Sequence, residues 1–338
     1  MMGRAIRIGV IGHGHWGRHL ARCFAETEGS ELAVVCDRRK EACAAASRRH
    51  PSARTTLSVE EVLRDDAIDA VYIATPPTAH EALVLQALEA GKDVLVEKPL
   101  AASVAAASRC VERAEALGRV LMVGPTFVYS HGVQKIRELV ASGALGRLRY
   151  IDAARENLGQ HQRDVNVVWD LAPHDLSVVL YATGRRAQAV AAHGGRFAGE
   201  DGLEDVARLT LECEDGLVAY LRLSWLSPVK VRRSTFVGDE AMLVYDDLEP
   251  TEKLRVFDRR VERGTATRGD RPSYHCGGVE CPALPGTEPL VLEARAFLAA
   301  VRSRGPAATD GRFGLAIVRI LDAATRSLRE GGRRVSLV

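Results

Sequence analysis

The sequence lacks three features that would each indicate a particular class of protein. No apolar run is long enough to cross a bilayer, although 46% of the 338 residues are hydrophobic. The first residues lead directly into a short apolar stretch and do not have the regions of a signal peptide. The net charge is only +2, so the chain has no strong basic field for nucleic acid. We therefore expect a cytoplasmic protein with neither a membrane nor a nucleic-acid partner.

Cysteine use also argues against a secreted, disulfide-bonded scaffold. The chain has seven cysteines, an odd number, and several lie in apolar runs, as reduced core thiols do. His275, Cys276 and Cys281 lie close together in sequence, but no second pair of ligands follows at a usual metal-site spacing. We predict no metal site and interpret the last two cysteines as free thiols.

The first chemical signature is a glycine-rich turn between a predicted strand and a predicted helix. Gly12, Gly14 and Gly17 follow the apolar run of residues 6–11 and open an amphipathic segment. In such a turn the first glycine permits the bend, the second lets a diphosphate approach the backbone, and the third allows close helix packing. The free N–H groups of the helix N-terminus attract the diphosphate. The predicted cofactor-contacting positions here are Gly12, Gly14, His15, Trp16 and Gly17.

A carboxylate follows at the position where such folds contact ribose. The apolar run 32–36 ends at Asp37, twenty residues after Gly17. Asp is also a common turn residue, but its agreement with the glycine spacing favours a ribose contact. Arg38 and Arg39 come next, and an arginine here can receive the 2′-phosphate of NADP, which Asp37 would repel. The predicted cofactor is NAD, with NADP as the alternative.

Strand and helix patterns alternate through residues 1–124. The short apolar strands lack a clean alternation, which is typical of a parallel sheet covered by helices on both faces. We predict a doubly wound, dinucleotide-binding Rossmann domain over this range. Within it, Thr78 and Glu81 are predicted to form a capping box for a helix that Gly91 closes.

The pattern changes in residues 125–338, which we predict to be a substrate-binding and oligomerisation domain of α+β class. From residue 187 polar and apolar residues alternate, indicating an open, mostly antiparallel sheet with one drier face. Helices are predicted near 133–142, 290–302 and 311–330, the last able to return to the first domain. Residues 261–288 are rich in Gly, Pro and Arg and are expected to form a long connection.

Lys98 is the first candidate catalytic residue. It follows the apolar strand pattern of residues 93–96, at the carboxyl edge of the predicted sheet, where such folds bind ligands. Its ammonium would there contact a substrate oxygen beside the nicotinamide, and Pro99 would set the backbone direction, with a cis bond as one option. The alternative is a surface lysine paired with Glu97.

Asp170 and His174 are the second pair of candidates. They are four residues apart at the start of an apolar helix, with Pro173 expected in its first turn, so their side chains would share one face. The imidazole can accept a proton at neutral pH and the carboxylate can orient it. In the alternative, Asp170 only caps the helix and His174 is a structural core residue. The further candidates for substrate contact are Tyr129, Asn157 and Trp169.

These motifs, in this order, resemble the glucose–fructose oxidoreductase / inositol dehydrogenase (Gfo/Idh/MocA) family. The resemblance spans nearly the whole chain and implies that Lys98 touches both substrate and nicotinamide, that His174 is the acid/base, and that Asp170 is its partner. It also implies an open C-terminal sheet with homodimer or homotetramer contacts. Many relatives have Gly where this chain has Pro173, which leaves the substrate subgroup open. The resemblance adds to the cofactor-contacting set Thr75, Pro76, Pro77, His80, Glu97 and Lys98.

Three functions are consistent with these motifs. The leading hypothesis is an NAD(P)-dependent dehydrogenase that acts on a secondary alcohol of a sugar, nucleotide sugar or cyclitol. The second is a redox-neutral enzyme that uses NAD to cleave glycosidic bonds, as some members of the family do. The third is a non-catalytic protein that senses dinucleotide, against which the paired candidate residues argue.

Overall fold

The computed structural model describes residues 4–159, 165–198, 203–262 and 273–337. The chain forms two compact units, Met1–Tyr129 with Thr287–Arg319, and Ser130–Gly286 with Ile320–Val338. The domain boundary predicted from the sequence, 124/125, lies five residues before the chain first passes from one unit to the other, after Tyr129. The sequence pattern does not predict that residues 287–302 join the N-terminal unit.

The first unit contains a six-stranded parallel sheet with helices between successive strands, which confirms the predicted Rossmann topology. Its strands are β1 (Ile6–Ile11), β2 (Ser30–Cys36), β3 (Arg54–Thr56), β4 (Ala70–Ile73), β5 (Asp93–Glu97) and β6 (Leu121–Gly124), in the order β3-β2-β1-β4-β5-β6. Its first helices are α1 (His15–Glu26), α2 (Lys40–Arg49), α3 (Val59–Leu63), α4 (Pro77–Glu89) and α5 (Val104–Ala116). The sequence patterns do not indicate the three-residue strand β3.

The start of α4 differs from the sequence prediction. The helix begins at Pro77, so Thr78 lies inside the first turn and cannot cap it. Proline suits this position because its φ is already helical and it has no N–H to satisfy. Glu81 bonds instead to the Arg109 Nε, at 2.6 Å. The capping-box prediction is therefore wrong, whereas Gly91 does end the helix with φ +72°.

The second unit contains a nine-stranded mixed sheet. The elements that follow β6 are α6 (His131–Ala141), β7 (Leu148–Leu158), α7 (Val167–Thr183), β8 (Ala187–Gly195), β9 (Val206–Cys213), β10 (Val218–Ser224), β11 (Leu226–Gly238), β12 (Met242–Asp246), β13 (Leu254–Glu262), β14 (Ser273–Glu280), α8 (Pro289–Ser303), α9 (Gly311–Arg329) and β15 (Val335–Ser336). The strand order is β14-β13-β12-β11-β7-β10-β9-β8-β15. Among the described strands of this second sheet, only β7 and β10 pair in parallel.

One face of this sheet is dry, as the alternation predicts. On β10, Ala219, Leu221 and Leu223 are buried, whereas Tyr220 and Arg222 between them are exposed. Helix α7 packs against β7, β9 and β10. In the part of the chain that the structure describes, no helix combines the length and apolar character that a membrane span needs.

The expected long connection over 261–288 is wrong in part. Residues Ser273–Glu280 form β14, which pairs antiparallel with β13 from Val256 to Glu262. The Gly and Pro content hid this strand because its side chains are largely exposed and give no buried apolar face. Residues 263–272 lie outside the described ranges.

A buried ion pair fixes α7 against β7. The Arg155 guanidinium bonds to both oxygens of Asp175, at 2.9 and 3.0 Å, and the two side chains are 8% and 5% exposed. The two parallel N–H···O bonds fix orientation as well as distance. Asp175 neighbours His174, so this pair sets the rotation of the helix that carries the candidate acid/base.

Candidate active site

The glycine turn of the first unit has the geometry that a diphosphate site needs. Gly12 has φ +95°, and a Cβ there would collide with the carbonyl oxygen of Ala74 at the end of the neighbouring strand. A Cβ on Gly17 would likewise collide with the carbonyl oxygen of Gly12, so α1 can approach the turn only with glycine here. These two positions are fixed by backbone packing alone.

Gly14 differs, because a Cβ built on it would meet no described atom within 4 Å. It is the N-cap of α1 and provides no side-chain cap, and His15 and Trp16 form the start of the helix. The first N–H groups of α1 are therefore available to an anion beside an open space. A diphosphate fits this space, which a side chain at Gly14 would partly fill.

Asp37 carries a firmly ionised carboxylate at the end of β2. Its Oδ2 accepts from the backbone N–H of His13 at 2.8 Å, and its Oδ1 accepts from the backbone N–H of Arg39 at 2.9 Å. Burial would raise the pKa of Asp37, but the hydrogen bonds from the side chain and backbone of Arg39 and from His13 lower that pKa to about 2.

Arg39, and not Arg38, contacts this carboxylate. The Arg39 Nε and Nη2 each lie 3.0 Å from an oxygen of Asp37, and the guanidinium side chain is 58% exposed. Arg38, the arginine that we expect at the cofactor from the sequence, is exposed. The carboxylate at the predicted ribose position is thus charge-compensated by Arg39.

Thr75, Pro76 and Pro77 form the turn after β4. The Thr75 hydroxyl oxygen is buried and has no hydrogen-bond partner among the described residues. An unsatisfied hydroxyl at the carboxyl edge of the sheet fits a polar group of a bound dinucleotide. Pro76 and Pro77 set the backbone that presents it, as the N-cap and first residue of α4.

Both ring nitrogens of His80 are bonded to backbone carbonyl oxygens, so the ring has a structural role. The ring is fully buried, with Nδ1 2.8 Å from the Pro99 carbonyl oxygen and Nε2 2.8 Å from the Thr75 carbonyl oxygen. Burial lowers the pKa of this imidazole. The expectation that His80 contacts the cofactor is therefore corrected: it joins the turns after β4 and β5, and α4 points its ring inward.

Lys98 follows the last residue of β5 at the carboxyl edge of the sheet, and it is half-buried. The Lys98–Pro99 peptide bond is cis, the option that the sequence leaves open. Contrary to the expectation, the Glu97 carboxylate is not available to a cofactor, because it is buried and accepts the Tyr72 hydroxyl at 2.5 Å.

Tyr129 does not have an available hydroxyl. Its side chain is 5% exposed, and its hydroxyl lies 2.6 Å from the Thr309 Oγ1. The sequence-based expectation is a substrate contact, and the structure corrects it. The buried Tyr–Thr pair instead ties the residues after β6 to the segment before α9, within the first unit.

In the second unit, α7 begins at Val167 and is capped by Asn166, whose side chain accepts the N–H of Trp169 at 3.1 Å. Asp170 is therefore not the cap, and Pro173 lies in the helix interior and not in its first turn as expected. Proline has no N–H, so the Trp169 carbonyl loses its usual helical donor. Asp170 and His174 lie one turn apart on the same face.

Trp225 is the residue of this site that no sequence pattern indicates. Its indole Nε1 donates to the Asp170 Oδ2 at 3.0 Å, and its ring is 2% exposed. It lies between β10 and β11, far from α7 in sequence, so no local signal links it to Asp170. The contact fixes the carboxylate beside His174.

The two remaining candidates belong to the same unit as this pair. Trp169 is half-buried and donates its indole Nε1 to the Thr325 Oγ1 at 2.9 Å, so its polar atom is already engaged. Asn157 is half-buried near the end of β7. The amide nitrogen of Asn157 lies 2.9 Å from the position that a Cβ on Gly159 would take. No group of three or more metal-ligating side chains occurs within the described ranges.

Two family models match the chain. An oxidoreductase family with an NAD-binding Rossmann fold matches residues 6–125, and a GFO/IDH/MocA C-terminal domain matches residues 133–244. A UDP-N-acetylglucosamine 3-dehydrogenase from Acidithiobacillus ferrooxidans is 30% identical over 322 residues, which cover 94% of this chain and 95% of that protein. An inositol 2-dehydrogenase from Corynebacterium glutamicum is 28% identical over 229 residues, or 66% of this chain and 68% of the relative.

Solved structures agree over almost the full length. The UDP-N-acetylglucosamine 3-dehydrogenase GnnA from Acidithiobacillus ferrooxidans superposes with a TM-score of 0.83 at 27% identity, covering 97% of this chain and 99% of that one. GenD2 from gentamicin A biosynthesis, solved in complex with NAD, gives a TM-score of 0.84 at 25% identity, covering 99% and 97%.

Proposed function

The chain belongs to the Gfo/Idh/MocA family of NAD-binding oxidoreductases, and from this premise we propose that it oxidises a secondary alcohol of a sugar, nucleotide sugar or cyclitol, or reduces the matching ketone. The observation that carries the proposal is the pair on α7. Asp170 and His174 share one face, and Trp225 fixes the carboxylate. An oriented carboxylate beside an imidazole is suited to moving a hydroxyl proton.

The residues of the first unit fit NAD. Gly12, Gly14 and Gly17 would hold the diphosphate against the start of α1, and Asp37 would accept the adenosine ribose hydroxyls. The buried, unpartnered Thr75 hydroxyl supplies a further polar contact at the same sheet edge. When bound, NAD supplies the hydride acceptor.

The chain's own residues divide the remaining work. His174 takes the proton from the substrate hydroxyl in oxidation and returns it in reduction, and Asp170 orients the ring and stabilises the imidazolium. Lys98 donates a hydrogen bond to the reacting oxygen and offsets the negative charge that develops on it. Asn157 and Trp169, both half-buried in the second unit, are proposed to contact the other substrate hydroxyls.

The substrate class follows from the relatives. Their names indicate oxidation at carbon 3 of UDP-N-acetylglucosamine and at carbon 2 of inositol, two secondary alcohols on polyhydroxylated six-membered rings. We propose that this chain takes a substrate of the same class.

We also propose a homodimer or homotetramer, because the exposed face of the second sheet carries an aromatic patch. Tyr150 and Tyr220 are 42% and 44% exposed with ring centroids 6.4 Å apart. Light scattering after gel filtration tests the oligomeric state, and the variant Y150E is expected to shift the protein towards the monomer.

A cytoplasmic location is proposed because all seven cysteines are free.

A substrate panel tests the reaction. Cyclitols, aldoses and UDP-sugars are supplied in turn with NAD or NADP while the absorbance of the reduced nicotinamide is followed. At least one polyol is expected to reduce NAD. A redox-neutral release of sugar from a glycoside, with no net reduced cofactor, would support the glycosidase alternative and contradict the dehydrogenase.

Histidine-to-glutamine substitutions at two positions test the proton transfer. H174Q is expected to lower kcat by about 10²–10⁴-fold, the usual contribution of a general acid/base, while the Kd for NAD changes little. H193Q, at an exposed position on β8, is the matched control and keeps full activity. Equal activity of H174Q and H193Q would contradict the assignment.

A further inference from the structure

Two carboxyl groups are buried together beneath the strand end that carries Lys98. Glu97, the last residue of β5, is 8% exposed, and Glu293 of α8 is 1% exposed. Both belong to the first unit. Burying two carboxyl groups is costly unless their charge is compensated or removed by a proton, so their arrangement requires an explanation.

The sheet register places the two groups side by side. Glu97 of β5 lies opposite Gly124 of β6 in parallel register, so their Cβ positions project to the same face. A Cβ on Gly124 would lie 2.9 Å from the Glu293 Oε1. The Glu293 carboxyl therefore occupies the space that glycine leaves open beside Glu97.

Each carboxyl accepts a hydrogen bond from a hydroxyl group, and a backbone hydrogen bond from Lys98 also acts on Glu97. The Tyr72 hydroxyl donates to the Glu97 Oε1 at 2.5 Å, and the Thr126 hydroxyl donates to the Glu293 Oε2 at 3.0 Å. The Glu293 Oε1 is buried and has no partner in the described part of the chain. An unsatisfied buried carboxylate oxygen is more costly than a neutral one, which favours a proton on this carboxyl.

The surrounding charges assign the proton. Lys98 is the cation that acts on Glu97, while Tyr72 of β4, Cys23 of α1 and Thr126 face the pair as neutral groups. Burial raises the pKa of both carboxyls. Tyr72 and Lys98 oppose that rise at Glu97, whereas the Glu97 charge raises the pKa of Glu293 further.

We propose that Glu97 and Glu293 hold a single proton, carried by Glu293, so that one buried negative charge stands behind Lys98 and keeps its ammonium charged and in place. Glu293 is then a positioning residue, because it acts on Lys98 through Glu97. The inference rests on the proposed function in one respect only, namely that Lys98 contacts the reacting oxygen.

Other charge states fit the site less well. Two ionised carboxylates would repel each other in a medium of low dielectric constant, and two neutral ones would remove the attraction between Glu97 and Lys98. Electrostatic coupling is reciprocal. Because Lys98 lowers the pKa of Glu97, the ionised Glu97 must favour the charged form of Lys98 by the same free energy.

Infrared spectroscopy tests where the proton is, without measuring activity. At neutral pH the wild-type protein is expected to show the carbonyl stretch of a buried carboxylic acid. E293Q removes this band, and E97Q retains it. E288Q, at the solvent-exposed N-cap of the same helix, is the matched control and leaves the band unchanged. A band that survives in E293Q, or vanishes in E97Q alone, would overturn the assignment.

Competitive chemical labelling of Lys98 across pH, read by mass spectrometry, tests the consequence. E97Q is expected to move the labelling midpoint of Lys98 down by roughly 1 pH unit, the usual effect of losing a nearby opposite charge. E293Q leaves the midpoint within about 0.3 pH units, because glutamine replaces an already neutral group. Equal shifts in both variants, or a shift in neither, would overturn the proposal.

Two further variants keep the test decisive. Y72F removes the hydroxyl that lowers the pKa of Glu97, so Glu97 takes up a proton more readily. The Lys98 midpoint should then also move downward, so Y72F replaces E97Q if that variant does not fold. K98M tests the proposed function separately. If K98M retains turnover while the infrared and labelling results hold, the carboxyl pair stands and the catalytic role of Lys98 falls.

Discussion

Removal of the Arg39 side chain should sharpen the preference for NAD over NADP. In the structure the Arg39 guanidinium bonds to both oxygens of Asp37, the carboxylate that is proposed to accept the ribose hydroxyls. R39A leaves this carboxylate ionised but uncompensated, so a 2′-phosphate meets a stronger repulsion. The ribose hydroxyls of NAD can then use both oxygens without displacing an arginine.

The magnitude follows from the exposure of the two groups. Two unit charges 4 Å apart interact by about 1 kcal/mol in water and about 4 kcal/mol at an effective dielectric constant of 20. Asp37 is 7% exposed but Arg39 is 58% exposed, so solvent screens much of the interaction. We expect a loss of about 1–2 kcal/mol of compensation, or roughly a 5–30-fold rise in the NAD:NADP ratio of kcat/KM.

The assay compares kcat/KM for both cofactors in three proteins, the wild type, R39A and R38A. Arg38 is the matched control, because it is an exposed neighbour of the same charge and has no part in the bonds to Asp37. Its variant should keep the wild-type ratio within about twofold. An unchanged ratio in R39A, or equal changes in R39A and R38A, would refute the role of Arg39 in compensating Asp37.

Three further predictions follow from the structure. The Cβ of G14A enters open space at the proposed diphosphate site, so this variant should keep the wild-type Tm but raise the Kd for NAD about tenfold or more by titration calorimetry. G17A should instead lower the Tm, because its Cβ collides with the backbone. D175A removes the buried carboxylate that bonds to the Arg155 guanidinium, so urea denaturation should show a loss of about 3–5 kcal/mol, and a loss below about 1 kcal/mol would contradict it. Folding lowers the pKa of Asp37 from 3.8 to about 2, so the ionised carboxylate should stabilise the protein by about 2 kcal/mol above pH 4–5. In denaturation curves, the stability difference between the wild type and D37N should shrink as the pH falls from about 4 to 2.

Most of the first unit could be predicted because its signals are local. The turn from Gly12 to Gly17, the strand ending at Asp37 and the proline after Lys98 each lie within a few residues of the element that they define. Such patterns depend on φ and ψ limits and on hydrophobic period, which a single sequence displays. The predicted capping box at Thr78 is wrong for a local reason too, because proline favours the first helical position and α4 begins at Pro77.

The candidate site of the second unit was only half visible. The spacing of Asp170 and His174 is a local signal, and α7 does place the two residues on one face. The Trp225 indole on Asp170 and the Arg155 guanidinium on Asp175 depend on which strands lie under α7. That choice is made by long-range pairing, including the parallel β7–β10 pair, which no hairpin signal announces.

The glutamate of the Glu97-Lys98-Pro99 motif shows why a motif alone misassigned a role. Glu97 is the last residue of β5 and is buried, whereas Lys98 follows the strand and is half-buried. A buried carboxylate needs partners, which sequence cannot name because Tyr72 and Glu293 come from distant elements. In the proposed arrangement the motif joins the Lys98 ammonium to a buried counter-charge, so changes on α8 should alter the charge state of Lys98 through β5.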